Sequence, residues 1–260
     1  MYRLFLTLLI SCFLVTGCAT KPIDPEELKI YELNNDPLEP MNRTIFGFNV
    51  AADTFVLEPA VKSYRFIVPS PLRKGINNFF TNLKQPLYLV NALMQGDGSA
   101  AGTIVKRFTA NTFWGFFGVF DTASAMDIPS VKRDFGETLA VWGIEDSGPY
   151  LVLPLIGPSN VRDTIGLGVD SVLTPIDWAL YHEKGLVYAR QSLDAFRTRD
   201  NVNDLMESLR KSSTDFYATM RSMSQQNRKK EIDTILGKTA TDETPSYDFE
   251  FPDDEYEEDY

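Results

Sequence analysis

The sequence predicts an all-α, single-domain fold, and three observations carry it. Apolar residues recur at helical spacing through most of residues 44–231. No hairpin signal or sustained period-2 alternation interrupts them. No segment repeats at a fixed period.

The first element is not part of that fold. Arg3 is a minimal basic region, and Leu4 to Val15 is a twelve-residue apolar run. As a helix it spans about 18 Å, well short of a ~30 Å hydrocarbon core, so it reads as a signal-peptide segment and not as a membrane span. Val15-Thr16-Gly17-Cys18 then resembles the lipobox of bacterial lipoproteins, in which the cysteine is diacylated and becomes the new N-terminus. The alternative is an ordinary cleaved signal with a chance cysteine. Ala19, following the same resemblance to lipoprotein sorting, implies the outer membrane. The organisation expected is a signal peptide over 1–17, a polar tether over 18–35, a helical domain over 36–238 and an acidic tail over 239–260.

Within the domain, Ile45, Phe48, Ala52, Phe55 and Val56 place a helix over Thr44 to Lys62. Ser70-Pro71 opens the next helix, with serine as N-cap and proline at the first helical position. Leu72, Ile76, Phe79, Phe80, Leu83, Leu87 and Val90 line one of its faces, Pro86 is expected to kink it and Gly96 to stop it. Another helix starts at Ser99. Thr112 to Phe120 carries Phe113, Trp114, Phe116, Phe117 and Phe120 within nine residues. As a helix this stretch is about 13.5 Å long and reaches one leaflet without crossing two. It reads as a buried core helix or as an interfacial, membrane-inserting segment. Gly143 to Asn160 is too rich in glycine and proline for regular helix, leaving Leu151 to Leu153 an edge strand or an extended crossing. Helices follow over Thr164 to Leu180 and Gly185 to Thr198. A last one runs from about Asn201 to Glu231, with Leu205, Leu209, Phe216, Met220 and Met223 on one side.

The charge is uneven. Thr239 to Tyr260 holds ten acids and no base, whereas Cys18 to Lys238 holds 24 bases against 26 acids. The tail is therefore expected to be disordered. Its interleaved aromatics read as a solvated tail or as short binding anchors. A near-neutral body with no basic stripe argues against nucleic acid. One histidine, His182, and two cysteines, Cys12 and Cys18, cannot build the usual zinc sets. There is no Gly-x-Ser-x-Gly elbow and no phosphate loop, and Gly96-Asp-Gly98 follows a helix instead of the strand a dinucleotide site needs. The expectation is a protein that is not an enzyme and uses no cofactor or metal.

Three blocks together resemble one family. They are Asn35-Asp36-Pro37-Leu38-Glu39-Pro40-Met41-Asn42-Arg43; then Arg107-Phe108, Asn111-Thr112, Gly115, Gly118 and Phe120-Asp121; and then Phe135 to Leu139, Gly148-Pro149-Tyr150, Leu153-Pro154, Gly157-Pro158-Ser159 and Arg162-Asp163. Spread from Asn35 to about Leu209, they resemble the MlaA (VacJ) family of outer-membrane lipoproteins. The resemblance implies a ring-like helical protein with amphipathic helices in the membrane plane, lying in the inner leaflet of the outer membrane, lipid-anchored through Cys18 and facing the periplasm. It further implies an amphipathic channel that removes mislocalised phospholipid from the outer leaflet and passes it to a soluble periplasmic carrier of the MlaC kind. A trimeric porin is the implied neighbour. Tyr150, Leu153, Pro154 and Gly157 are the channel-lining candidates. Asp36, Pro37, Glu39, Asn42, Arg43, Asn111, Arg162 and Asp163 are carried over as structural motif residues. Arg43, Arg107 and Arg162 lie near acids in sequence, as ion pairs or as contacts to a lipid phosphate. The alternative function is a structural or porin-associated scaffold without a channel.

Overall fold

A computed structural model describes residues 19–238. Cys18, the leader before it and the acidic tail from residue 239 lie outside the described residues. Eleven α-helices and one two-stranded hairpin make up the described chain. Helix α1 (Pro25–Asn34) forms inside the expected tether, begun by the Asp24 carboxylate accepting from the amides of Glu26 and Glu27. None of its residues is buried, in keeping with its polar sequence.

The predicted helix over Thr44 to Lys62 is α2 (Glu39–Ala52), a π turn (Asp53–Leu57) and α3 (Glu58–Ile67) in direct succession. Pro59 explains the widened turn. It has no N–H for the preceding turn, and the Glu58 amide instead reaches back five residues to Asp53. Helix α4 (Ser70–Met94) begins one residue earlier than expected, with Pro69 as its cap residue, and continues through Pro86. It stops as Gly96 predicts: the amides of Gly96 and Asp97 fold back to the carbonyls of Leu93 and Ala92, both at 3.0 Å. Helix α5 (Gly98–Phe113), capped by Asp97, returns along α4. Small residues make the close approach: Ala92, Ala100, Ala101 and Ile104 form one of the two buried apolar clusters.

The aromatic stretch overturns the reading of a buried core helix. Helix α5 ends at Phe113, and residues 114–120 turn back on themselves with Phe116, Phe117 and Gly118 all at positive φ. Gly118 is required there, because a Cβ would stand 2.4 Å from that of Asn82.

Helix α6 (Phe135–Val141) opens with a capping box between Asp134 and Glu137. Strands β1 (Tyr150–Leu153) and β2 (Gly157–Asn160) then pair antiparallel, Tyr150 opposite Asn160 and Leu153 opposite Gly157. The sequence reading had no hairpin here. The missing support comes from a helix: Asn42 and Asn49, two turns apart on α2, hydrogen-bond the free edge of β1. Asn42 donates to the Tyr150 carbonyl and accepts from the Val152 amide; Asn49 does the same for Leu153 and Leu155. Pro175 divides the next predicted helix into α7 (Val161–Leu173) and α8 (Pro175–Ala179). Helix α9 (Lys184–Asn201) follows. The predicted last helix is two, α10 (Asn203–Ser212) and α11 (Phe216–Ile235), separated by extended Ser213 and restarted by an Asp215 N-cap.

Burial is inverted relative to a water-soluble helical domain. Among the described residues, buried polar and charged side chains are as numerous as buried apolar ones. Large apolar side chains on α2–α4, the 114–120 turn and α7–α9 are exposed.

Candidate functional site

A cavity of about 860 Å³ opens between the hairpin, α7, α10 and α11. One wall is apolar, made by Leu205 and Leu209 of α10 and Met220, Met223 and Ile232 of α11. The first four are among the five residues whose spacing placed them on one side of the predicted last helix; the fifth, Phe216, does not line the cavity. Beside them the wall is ionic: Asp134, Arg162, Asp163 and Asp170, with Arg228 of α11 itself.

Arg228 organises that wall. It donates twice to Asp134, at 2.8 Å each, and twice to Asp163, at 2.9 and 3.0 Å, and it also reaches Glu231 at 2.9 Å. Burial works against its charge, but these carboxylates hold its proton more firmly than usual. Burial likewise opposes ionisation of Asp163, yet Arg228 brings that carboxyl below the ordinary range. Asp170 is shifted the other way: burial raises it, although Asn91 and the Phe135 amide donate to its oxygens. Glu137 is pushed up to about 8, first by burial and then by the neighbouring Asp134 charge. Arg162, 4% exposed, is held by Asp163 and by the Glu145 carbonyl at 2.8 Å.

The motif residues fall into three polar clusters, buried except around Arg43. Asp36, 2% exposed, accepts from Asn42 at 2.7 Å, from Arg221 at 2.9 Å and from the Tyr217 hydroxyl. Pro37 and Glu39 lead from it into α2, and Arg43 pairs with Glu39 and Asp215 at 2.7 Å each. In the second cluster Arg107 makes a two-pronged bond to Asp121 at 2.9 and 3.0 Å, and Asn111 donates to the same carboxylate. Arg162 and Asp163 belong to the third, in the cavity wall. The three arginines whose role was open are therefore all ion-paired.

Of the channel-lining candidates, the cavity includes Tyr150 and omits Leu153, Pro154 and Gly157; Ile156 and Pro158 stand in their place. Leu153 and Gly157 face each other across the hairpin end, and Pro154 lies in its exposed turn. Tyr150 is 2% exposed, and its hydroxyl is buried with no hydrogen-bond partner. Sequence reasoning missed Arg228, Asp134 and Asp170 as site residues. They lie in three separate segments, and only Asp134 carries a local signal, its capping box. Phe113, Trp114, Phe116, Phe117 and Phe120 are each more than 60% exposed. No helix among the described residues is long and apolar enough to cross a membrane.

The family model of the MlaA lipoprotein matches residues 34–231. The chain belongs to the MlaA family. It is 34% identical over 235 residues to the intermembrane phospholipid transport system lipoprotein MlaA of Haemophilus influenzae, covering 86% of this chain and 88% of that one. The protein of the same name from Escherichia coli strain K12 is 32% identical over 213 residues, with 80% of each chain covered. A Rickettsia bellii protein of uncharacterised role is 32% identical over 236 residues, covering 86% of this chain and 90% of its own. A solved structure, from work on the structural basis for maintenance of bacterial outer membrane lipid asymmetry, superposes with a TM-score of 0.64 at 31% identity. It covers 77% of this chain and 98% of that one. The family is the one the three sequence blocks resemble, and the helical fold accords with it.

Proposed function

We propose that this chain is a phospholipid-transport lipoprotein of the outer membrane. It sits in the periplasm-facing leaflet, takes phospholipid mislocalised to the outer leaflet through an amphipathic path, and passes it to a soluble periplasmic lipid carrier. The carrying observation is the mixed lining of the cavity. A phospholipid has two apolar tails and an ionic headgroup, and leucines and methionines side by side with paired ions match both halves at once. The exposed aromatic turn and the apolar faces of α2–α4 and α7–α9 suit a molecule immersed in one leaflet. Cys18 supplies the acyl anchor in this reading, and a trimeric porin is the neighbour. A scaffold without a path needs the exposed faces but gives no reason for the cavity.

A lipid-transfer assay tests the reading. The full lipoprotein, placed in bilayers carrying fluorescent phospholipid, should load purified carrier faster than protein-free bilayers do. Equal rates with and without it would sink the transport reading and leave the scaffold. Cys18→Ala should abolish acyl labelling and release the protein from the membrane fraction, or leave it as an unprocessed precursor. A wild type that takes up no acyl label would reject the anchor.

A further inference from the structure

Helix α11 is held differently at its two ends. Its N-terminal turn sits in aromatic and apolar packing. The Phe216 and Tyr217 rings lie 5.3 and 5.4 Å from that of Phe46 on α2, and Tyr217 belongs to the buried cluster of Ile45, Tyr150 and Val152. Arg221, one turn on, is buried against Asp36. Beyond it Ile232 is the only buried residue of the helix, and it belongs to neither buried apolar cluster. The bonds that tie this half to the body are polar. Arg228 reaches Asp134 before α6 and Asp163 on α7, and Lys238, just past the helix, pairs with Glu145. Gln225 donates at 2.7 Å to the carbonyl of Asn34, the last residue of α1, a helix with no buried residue of its own.

The two attachments answer to different forces. Aromatic packing is not screened by salt, whereas ion pairs at a partly exposed site exchange with water and counterions at small cost. Asp134, Lys238 and Glu145 are all partly exposed. Few buried apolar contacts and accessible polar ones mark the C-terminal half as the end that opens first. The chain before α11 is extended at Ser213 and Asp215, so α10 does not brace it as a continuous helix. Ile235 stands about 27 Å along the axis from Tyr217, and a tilt of about 10° at Tyr217 carries it roughly 5 Å. Met220, Met223, Asn227 and Ile232, which line the cavity, lie on the arm that would move.

We propose that α11 is a gate in the cavity wall, pivoting at Phe216 and Tyr217 and latched by Arg228 on Asp134 and Asp163, with the Lys238–Glu145 pair as a second catch. Its purpose rests on the transport reading above: phospholipid enters or leaves the cavity when the C-terminal half swings out. Arg228 is then a positioning residue, acting through the helix it holds.

The test uses the full lipoprotein in phosphatidylethanolamine bilayers, with Lys238→Cys and Glu145→Cys across the second catch. Both side chains are about half exposed, so the pair should fold normally. Spin labels on the two cysteines should report two separations. The longer should gain roughly threefold in population between about 0.1 M and about 1 M salt, where the screening length falls from about 10 to about 3 Å. Adding Arg228→Gln should favour the longer separation already at low salt; where that variant does not fold, the salt series decides. A single separation unmoved by salt would overturn the gate. A cleavable bis-thiosulfonate bridge between the same cysteines should slow loading of the purified carrier roughly tenfold, and reduction should restore it. Bridged protein that loads the carrier at the unbridged rate would overturn the gate as well. Protein that moves no lipid in either form counts against the transport reading instead, and the spin-label separations then decide the gate by themselves.

Discussion

The 114–120 turn and the α11 wall of the cavity bury opposite chemistry. At the turn four aromatic rings, with Phe113 just before them, are exposed, and the buried residues are Gly115, Gly118, Arg107 and Asn111, the last two bonded to half-buried Asp121. At α11 an arginine with four carboxylate neighbours is largely withdrawn from solvent, next to methionines that line open space. In a water-soluble domain the rings and the ions would trade places. The difference shows that this molecule is held together by polar contacts and close backbone packing, and that many of its large apolar side chains face outward or line the cavity. Stability and lipid affinity should therefore respond to different residues.

Arg228→Met is the severest break. It strands Asp134 and Asp163 without their shared cation, and because the network is only partly buried the loss should lie below the ~3–5 kcal/mol of a fully buried pair. Urea unfolding in detergent should show that loss; an unchanged midpoint would mean that the network contributes nothing. Next, Gly118→Val forces a β-branched residue to a φ of +93° against Asn82. Strain alone should cost roughly 1–3 kcal/mol, visible as a lower melting temperature.

The third effect depends on pH. The Glu137 carboxyl is raised from near 4.5 to about 8, so the folded state binds a proton that the unfolded chain has released. Its stabilisation is complete below the lower value and is lost as pH rises through the upper one. Between them stability should fall by about 1.4 kcal/mol per pH unit from this group alone. Asp163 acts with the opposite sign, but at acid pH, below the ordinary aspartate range. Melting curves from about pH 5 to 8 should thus slope downward, and Glu137→Gln should flatten them. A slope unchanged in the variant would remove Glu137 as its source.

The smallest effect on stability belongs to the rings. Phe116→Asn with Phe117→Asn keeps residues that tolerate positive φ, so unfolding should move by no more than about 0.5 kcal/mol. Vesicle affinity of protein lacking acyl chains should fall roughly tenfold or more, and quenching of Trp114 by brominated lipid should fade. A stability loss without any change in vesicle affinity would make the turn part of the core.

Local signals in the sequence were read well where local physics decides. The Gly96 stop is legible because a left-handed residue ends a helix on its own terms, and residues 205, 209, 220 and 223 share a wall even though their helix proves to be two. The hairpin is not legible locally because its free edge is bonded by Asn42 and Asn49, more than 100 residues earlier. The break at Ser213 rests on a Ser-Ser-Thr-Asp run that reads equally as exposed helix surface. The ionic wall was beyond reach for the same reason as the hairpin: Asp134, Asp163 and Arg228 come from segments that only the tertiary fold brings together.

The backbone of the aromatic turn has a consequence of its own. The amides of Trp114, Gly115, Phe117, Gly118, Val119 and Phe120 all donate to carbonyls of the turn or of the end of α5. Non-helical chain is ordinarily barred from hydrocarbon because its peptide groups would leave water with nothing to bond. Here six of the seven amides of residues 114–120 are already bonded inside the loop or to the end of α5. In the proposed reading the segment moves from water to the acyl region in a largely finished shape, with no coil-to-helix transition to accompany it, and its side chains set its depth in the leaflet.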